Sequence, residues 1–364
     1  MKIGIVTMHD ALNAGAILQA YALQTCLEGM GHQIEFIDIE RQYKFNWRNY
    51  IAKSPQAMWH KWIDSYNLEF YRRDRDWNKC LHKSKVHYRT YKQLQENPPE
   101  YDAYIVGSDQ VWNFLRELSP LHLLDFVPKD KKRISYAASM GQCNIPKHLH
   151  SELKRHLTKF HAISLREDSG VDFVNRLMEA NVACKTIDPT LLIDQQYYDK
   201  ICETPTMQKP FVVSYILSQL DQQQCHNLTE WAKQQHKLFI NLRNPSTCIR
   251  IPNIRNVVVT PYLWLGYIKK SDFVISGSFH ATVFSLIYHK PFFVMLPKEL
   301  KVKGGNVRIN SLLEPLGLQH RILYDDDVST MNSVANQGID WTAVDTYLSE
   351  QRELSINYLQ SSLL

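Results

Sequence analysis

The chain has 364 residues, of which 44% are hydrophobic and 22% charged, and its formal net charge is +5. This ordinary globular composition excludes a collagen-like or disordered chain, and the length predicts two domains with sizeable cores. The charge is unevenly placed, because residues 41–92 hold 13 Lys and Arg against 4 Asp and Glu. The rest of the chain is therefore net negative. An overall charge of only +5 does not indicate a nucleic-acid partner.

The seven cysteines are scattered and form no C-x-x-C pair. The sequence therefore predicts neither a zinc site nor a redox pair and fits a reducing cytoplasm. An apolar run at 3–8 is too short for a signal peptide. Residues 273–296 are the most apolar region, but Ser, His and Lys interrupt it, so no membrane span is expected. We expect a cytoplasmic protein, either free or held as a peripheral protein at the inner face of the membrane.

Strands and helices alternate from the first residues onward. A β-branched run at 2–7, a helix at 16–30 and an alternating strand at 33–39 form the β-α-β opening of a doubly wound sheet. The same alternation predicts strands at 101–107, 132–138, 162–166 and 184–188, with helices at 148–161 and 170–181. A loop at 195–210 with two prolines predicts the domain boundary.

A second alternating series follows this loop. It predicts strands at 211–217, 237–242, 256–260, 272–276 and 291–296, with helices at 221–235, 262–270 and 279–289. Apolar residues recur on one helical face over 341–359. The chain is therefore predicted to be an α/β protein with two Rossmann-like, doubly wound lobes, at 1–195 and 196–335, and a C-terminal helix within 336–364. A cleft is expected between the lobes.

Residues 41–92 break the alternation and hold twelve aromatic residues, among them four Trp. Much of this stretch is predicted to be helical. It could bind an acidic polymer or a sugar, lie on an anionic membrane surface, or form a solvated helical insertion. The solvated insertion is the simplest interpretation, and a contact with the acceptor or the membrane is the functional one.

The loop 9–16 joins the first strand to the first helix. At such a junction the backbone N–H groups of a helix N-terminus favour an anion, and a glycine lets a ligand approach closely. The candidate binding residues are Asn13, Gly15 and Ala16. The alternative is a tight turn without a ligand.

The segment GSDQVWN (107–113) follows a strand that is predicted to be buried. So polar a loop at a strand end is typical of a binding site. Its candidates are Gly107, Ser108, Asp109, Gln110, Trp112 and Asn113. In the alternative interpretation Ser108 or Asp109 caps a helix and Trp112 belongs to the core.

The segment SGSFHAT (276–282) follows another apolar strand. Ser276 and Ser278 can donate hydrogen bonds or cap the next helix, and Thr282 lies in its first turn. His280 begins this helix, and an imidazole at a strand-to-helix junction is suited to proton exchange near neutral pH. The alternative is a structural histidine.

Cationic residues near predicted strand ends complete the set. Arg166 can hold a carboxylate or phosphate, or it can pair internally with Glu167 or Asp168. Asp188 and Pro189 are predicted to turn the chain towards the second lobe. The stretch 301–308 carries Lys303, Asn306 and Arg308 around two glycines, as in an anion-binding or a solvated loop. No metal-ligand spacing is present in the sequence, so no metal is predicted.

Five segments in order resemble the polysaccharide pyruvyl transferase family: NAGAILQAYALQ (13–24), YDAYIVGSDQVWN (101–113), SLRED (164–168), DPTLL (188–192) and SGSFHATVFSLIYHKPF (276–292). The resemblance implies a GT-B-like two-lobed fold, with the acceptor on the N-terminal lobe and the donor on the C-terminal lobe. It implies transfer of a pyruvyl group from phosphoenolpyruvate to a sugar of a cell-surface polysaccharide precursor, which forms a ketal. The acceptor would be a glycan linked to a lipid or a nucleotide, and no metal or redox cofactor is implied. His280 would transfer the proton, and Asp109 would be the second acid or base.

One position departs from the family pattern. Many members carry an Arg two residues before this histidine, where this chain has Ser278. Arg166, Lys303 or Arg308 could replace that cation. Alternatively, the chain is a GT-B-type glycosyltransferase that uses a nucleotide sugar, or, as the least favoured case, a scaffold without catalytic activity. The sequence does not predict an oligomeric state.

Overall fold

The computed structural model describes residues 1–40, 75–115, 117–207, 209–218, 220–243, 250–302, 306–324 and 327–364. Within these ranges the chain forms two parallel β-sheets flanked by helices. The predicted α/β class with doubly wound sheets is confirmed. Most of the basic aromatic stretch, residues 41–74, lies outside the described residues, as does Lys303.

The first sheet lies in the N-terminal lobe and has the strand order β3-β2-β1-β4-β5-β6-β7 among the described residues. Its strands are β1 (Lys2–Val6), β2 (Gln33–Ile39), β3 (Lys83–Tyr88), β4 (Ala103–Val106), β5 (Lys132–Ala138), β6 (Ala162–Leu165) and β7 (Ala183–Lys185). The helices are α1 (Ala14–Gly29), α2 (Tyr91–Glu96), α3 (His150–Leu157), α4 (Asp168–Met178) and α5 (Gln195–Ile201). Central β4 is buried throughout, as expected for a parallel strand covered on each face.

The second sheet repeats this order as β10-β9-β8-β11-β12-β13 within the described residues. Its strands are β8 (Phe211–Ile216), β9 (Leu238–Arg243), β10 (Arg255–Val258), β11 (Phe273–Gly277), β12 (Phe292–Met295) and β13 (Ile322–Leu323). The remaining helices are α6 (Gln222–Gln234), α7 (Pro261–Lys270), α8 (Phe279–Ile287), α9 (Lys298–Val302), α10 (Val307–Leu313), α11 (Val328–Asn336) and α12 (Trp341–Leu363). In each sheet the strand order reverses beside the first strand, where such folds bind ligands.

The two lobes pack against one another through a shared apolar core. Buried residues of α1 and α5 from the first lobe and of α7 and α8 from the second belong to one continuous cluster. Tyr198 on α5 meets Phe284 on α8 edge to face, with ring centroids 4.9 Å apart. Helix α12 then returns to the first lobe, where the Tyr358 hydroxyl donates to the Ser135 carbonyl at 2.8 Å.

Several elements differ from the predictions. Strand β3 lies in a stretch that was predicted to be helical. Its side chains are mostly polar and exposed, so the sequence there lacks a clear strand pattern. Helix α5 occupies the start of the predicted loop 195–210, with only Tyr198 buried. Helix α10 begins at Val307, inside the predicted loop 301–308, so Arg308 lies in the first turn of a helix.

The expectation of no membrane span agrees with the structure as far as it is described. None of the helices in the described ranges is both long enough and apolar enough to cross a bilayer.

The connection between the lobes depends on Gly266. A methyl group added to this residue of α7 would lie 1.8 Å from the Glu203 carbonyl oxygen, just after α5. The Glu203 N–H also donates to the Tyr262 carbonyl on α7 at 3.0 Å. The connecting segment therefore lies directly on the helix backbone.

We expect Gly266→Ala to destabilise the protein by about 1–3 kcal/mol, because the backbone must move to admit the methyl group. Urea unfolding measures this change. The control is Gly29→Ala at the end of α1, where an added methyl group meets no atom within 4 Å. Equal unfolding midpoints for the two variants would contradict the proposed close contact.

Candidate active site

Loops from the two lobes meet at the reversal points of their sheets. The first lobe contributes the N-terminus of α1 and the segments that follow β4, β6 and β7. The second lobe contributes the turn between β11 and α8, and helix α10. The carboxyl ends of parallel strands are the usual ligand-binding edge of such sheets.

The Asp188 carboxylate lies at the centre of this region and its side chain is fully buried. Oδ1 accepts hydrogen bonds from the Thr190 hydroxyl at 2.6 Å and the Thr190 N–H at 3.0 Å. Oδ2 accepts from Arg166 Nη1 at 2.5 Å and from the Ser108 hydroxyl at 3.4 Å. A buried carboxylate needs such partners, and here they come from three separate segments.

The Arg166 guanidinium is held on several sides. Besides Asp188, it contacts Glu167, whose Oε1 accepts from Nε at 3.1 Å, and its carbon lies 4.2 Å from the centre of the Phe279 ring. The predicted internal pairing with Glu167 therefore exists, together with a pairing with Asp188 in place of Asp168. Buried Nη2 still has no hydrogen-bond partner among the described residues, so one donor remains for a ligand.

His280 packs between the two lobes. Its Nε2 lies 3.5 Å from Asp188 Oδ2, at ion-pair distance. The other face of the ring touches Gly15 in the first turn of α1, where an added methyl group would lie 2.2 Å from Nδ1. Asn13 caps this helix by accepting the Gly15 N–H at 3.0 Å. Glycine at position 15 is therefore what admits the imidazole.

The turn before His280 uses its hydroxyl groups internally. Ser278 caps α8 by accepting the Ala281 N–H at 3.1 Å, and the Ser276 hydroxyl lies 2.8 Å from the Thr282 hydroxyl. These three residues therefore shape the turn that presents His280. Ser278 does not replace the cation that many family members carry at its position.

Gly107 and Ser108 bring Asp109 to the same region. Gly107 has a φ of +116°, and an added methyl group would lie 2.2 Å from the Tyr136 carbonyl oxygen, so glycine is required there. The Ser108 N–H donates to Gln19 Oε1 at 3.2 Å, which ties the loop to α1. Asp109 is half-buried and interacts electrostatically with Arg166 and Arg308.

Arg308 approaches from α10 of the second lobe. Its side chain, on a half-buried residue, forms no hydrogen bond or ion pair with any other described residue. One turn further along the helix, the Ser311 hydroxyl donates to Asp168 of the first lobe at 3.0 Å. Asp168 also binds Lys185, with Nζ 2.6 Å from Oδ2. Arg308 is thus held near the cluster with its donors available.

Charge and burial determine the protonation of this cluster. Burial alone would raise the pKa of Asp188. Electrostatic interaction with His280 and Arg166 outweighs the effect of burial and holds the pKa of Asp188 well below its usual range. Burial would lower the pKa of Arg166, but Glu167, Asp188 and Asp109 raise it. Burial, and then the neighbouring Arg166, lower the pKa of Arg308. An anion between the two guanidinium groups would relieve their mutual repulsion.

A second cleft opens beside Asp109 in the first lobe. Its lining includes Met8, Tyr91, Gln110, Asn113, Phe114 and His122. The Asn113 amide donates to Gln110 Oε1 at 2.8 Å, so these two amides act as a pair. The buried Tyr91 hydroxyl has no hydrogen-bond partner in the described part of the chain, and burial followed by Asp125 raises its pKa to about 12. Tyr91 therefore remains a hydrogen-bond donor.

The predicted site residues fall into distinct groups. Most of them lie at the central cluster: Asn13, Gly15, Ala16, Gly107, Ser108, Asp109, Arg166, Glu167, His280 and Arg308. Trp112 is instead fully buried in the first lobe, where Nε1 donates to the His122 carbonyl at 2.9 Å, and it belongs to the core. Asn306 precedes α10 as its N-cap residue, without a capping hydrogen bond from its side chain.

Sequence reasoning missed Asp188, Thr190 and Phe279 as site residues. Asp188 was assigned only to a turn, and it does accept the Thr190 N–H that begins this turn. Its position at the end of the predicted strand 184–188 was the available signal. Phe279 had no signal of its own, because an aromatic residue beside a histidine is equally typical of a core.

Comparison with known proteins identifies the family. A family model described as polysaccharide pyruvyl transferase matches residues 13–298, which is most of the chain. The chain belongs to this family. Membership in a family of transferases supports an enzymatic role for the chain. None of the curated proteins compared matches this pyruvyl transferase family member.

Solved structures show the same fold at low sequence identity. UDP-N-acetylglucosamine 2-epimerase from Rickettsia bellii matches with a TM-score of 0.58 and 11% identity, over 100% of this chain and 96% of its own. The UDP-GlcNAc 2-epimerase of Methanocaldococcus jannaschii has a TM-score of 0.52 and 10% identity, over 94% and 95%. UGT89C1 of Arabidopsis thaliana, complexed with quercetin, has a TM-score of 0.50 and 8% identity, over 100% and 99%. The predicted GT-B-like fold of this pyruvyl transferase family member is confirmed, and these identities show the fold alone.

Removing Arg166 would leave two buried carboxylates next to one another. We expect Arg166→Met to lower the free energy of unfolding by about 3–5 kcal/mol, because Asp188 and Glu167 lose their shared cation. Chemical denaturation provides the measurement. Arg155→Met, at an exposed site 4.0 Å from Glu152, serves as the control and should change stability by less than about 1 kcal/mol. A loss of under 1 kcal/mol for Arg166→Met would show that the cluster is not structurally coupled.

Proposed function

We propose that the protein transfers a pyruvyl group from phosphoenolpyruvate to a sugar of a cell-surface polysaccharide precursor and forms a ketal. The observation that carries this proposal is the Arg308 guanidinium, unpaired with any other described residue, beside a buried His280–Asp188 pair. This arrangement offers an anion site and a proton-transfer group within one interlobe cluster. Family membership supports the same reaction.

The chemistry of phosphoenolpyruvate matches the groups present. The donor carries a phosphate and a carboxylate, which favour guanidinium donors. Arg308 and the unpartnered Nη2 of Arg166 supply such donors, and the N-terminus of α1 adds backbone N–H groups beside His280. Arg308 would thus provide, from another helix, the cation that Ser278 does not.

The reaction requires one protonation and two deprotonations. A proton added to the methylene carbon makes the adjacent carbon electrophilic, and a sugar hydroxyl attacks that carbon as it loses its proton. A second hydroxyl of the sugar then displaces phosphate and closes the ketal. We assign the carbon protonation to His280 and the deprotonation of the attacking hydroxyl to Asp109. These steps need no change of oxidation state.

The acceptor is proposed to occupy the second cleft. Gln110 lines this cleft and follows Asp109 directly in the chain, so the proposed base lies next to the cleft. The paired amides of Gln110 and Asn113, with the Tyr91 hydroxyl and ring, suit a polyhydroxylated ligand that hydrogen-bonds and stacks. The basic stretch 41–92 remains a proposed contact to an acceptor or an anionic membrane surface, and its larger part is outside the described residues.

A second candidate is a glycosyltransferase that uses a nucleotide sugar. The serine at position 278 favours it, because the family's usual cation is absent there. A thermal-shift comparison separates the two functions: stabilisation by UDP-sugars, with none by phosphoenolpyruvate, would favour the glycosyltransferase.

We expect the protein to release phosphate from phosphoenolpyruvate when a suitable acceptor is present, and His280→Ala to reduce this rate by about 10²- to 10⁴-fold. The measurement is phosphate release across a panel of lipid-linked and nucleotide-linked saccharides. His226→Ala, at an exposed position on α6, is the matched control and should retain the full rate. Absence of turnover with every acceptor, together with absence of phosphoenolpyruvate binding, would contradict the proposal.

Substitution in the second cleft should affect the acceptor alone. We expect Asn113→Ala to raise the KM for the acceptor by about two- to tenfold, as for the loss of one hydrogen bond, with an unchanged KM for phosphoenolpyruvate. Steady-state kinetics with each substrate varied in turn measures both values. Gln222→Ala, in an unrelated surface groove beside α6, is the control. An unchanged acceptor KM for Asn113→Ala would place the acceptor elsewhere.

A further inference from the structure

We infer that Asp188 is a positioning residue that holds the proton of His280 on Nε2, so that Nδ1 is the atom that exchanges a proton with the substrate. This inference rests on the proposed function for the identity of the substrate. It goes beyond that proposal by assigning the reactive nitrogen and by giving a role to a residue that the sequence placed only in a turn.

The Asp188 carboxylate is held in one orientation by hydrogen bonds and stays negatively charged. Thr190 supplies two hydrogen bonds to Oδ1, and Arg166 and Ser108 supply two to Oδ2. The side chain is fully buried, and its pKa is well below the usual range, so it does not itself give or take a proton near neutral pH. The carboxylate therefore acts through its neighbour.

Electrostatics decides which ring nitrogen carries the proton. Nε2 is the ring nitrogen that faces Asp188 Oδ2, at 3.5 Å. A lone pair on Nε2 would point at a carboxylate oxygen, which is repulsive, whereas an N–H group there is attractive. The neutral Nε2–H tautomer and the imidazolium each place a proton on Nε2. The 3.5 Å separation allows the contact to shorten when substrate binds.

Nδ1 faces a different environment. It lies over Gly15, in the first turn of α1, where no side chain intervenes. This is the end of the helix at which backbone N–H groups point outward, and it is the place proposed for the anionic donor. A substrate held there would meet Nδ1 and not Nε2. Since Nε2 faces the carboxylate, Nδ1 is the ring nitrogen that remains on the side of the α1 N-terminus.

Nitrogen-15 NMR of histidine-labelled protein tests this assignment directly. Long-range proton–nitrogen spectra distinguish the two neutral tautomers and the imidazolium, and loss of the signal in His280→Ala identifies the residue. We expect His280 of the wild-type protein to carry its proton on Nε2. Observation of the neutral Nδ1–H tautomer would overturn the inference.

Two variants then test the role of the carboxylate. Thr190→Val keeps the Asp188 charge, and therefore its pairing with Arg166, but removes the 2.6 Å hydroxyl contact. We expect kcat to fall about three- to tenfold, because the carboxylate is less firmly oriented, with the KM for phosphoenolpyruvate within twofold and the Nε2–H tautomer retained. Asp188→Asn removes the charge, so it should abolish the preference for Nε2–H and lower kcat by about 10²- to 10⁴-fold.

Thr186→Val is the matched control, because Thr186 is another buried threonine nearby whose hydroxyl donates to Ser164 at 2.8 Å. It should change neither the tautomer nor kcat. An unchanged kcat in Thr190→Val, or the wild-type tautomer in folded Asp188→Asn, would overturn the positioning role. The NMR measurement needs no turnover, so a wrong donor assignment would appear as the predicted tautomer in a protein that releases no phosphate.

Discussion

The buried carboxylate of Asp188 is the constraint on which the rest of this structure depends. An ionised carboxylate inside a protein is tolerated only when it is paired and fully hydrogen-bonded. Asp188 meets this requirement by accepting hydrogen bonds from Arg166, Ser108 and Thr190, which come from three different segments of the first lobe. The carboxylate therefore fixes the relative positions of the loops that form the candidate active site.

The same carboxylate also links the two lobes. His280 comes from the second lobe and reaches Asp188 only because Gly15 leaves room for its ring at the N-terminus of α1. Phe279 adds its ring to the Arg166 guanidinium from the same side. The two sheets share one strand order, and segments from the reversal point of each sheet contribute to this contact. The interlobe core and the chemistry of the site are thus parts of one arrangement.

The fold followed well from the sequence wherever strands were buried. Apolar runs such as Ala103–Val106 and Phe273–Gly277 end in short polar segments, and this change predicts both a strand and a candidate site. Strand β3 was missed because an exposed edge strand lacks that apolar signature. Local patterns also cannot say which strand ends meet. The sequence therefore predicts only a turn at Asp188. It leaves Trp112 open between a binding site and the core, and the structure places it in the core.

The departure at position 278 gives the proposed donor site its distinguishing feature. A serine that caps α8 stands where many family members have an arginine, and Arg308 approaches the same cluster from α10. If Arg308 replaces that cation, phosphoenolpyruvate binding must depend on it.

Isothermal titration calorimetry of wild type, Arg308→Gln and the exposed-site control Arg155→Gln tests this dependence most directly. We predict binding by wild type and the control and at least tenfold weaker binding by Arg308→Gln. Equal affinity in all three proteins, or no binding by wild type, would contradict the account.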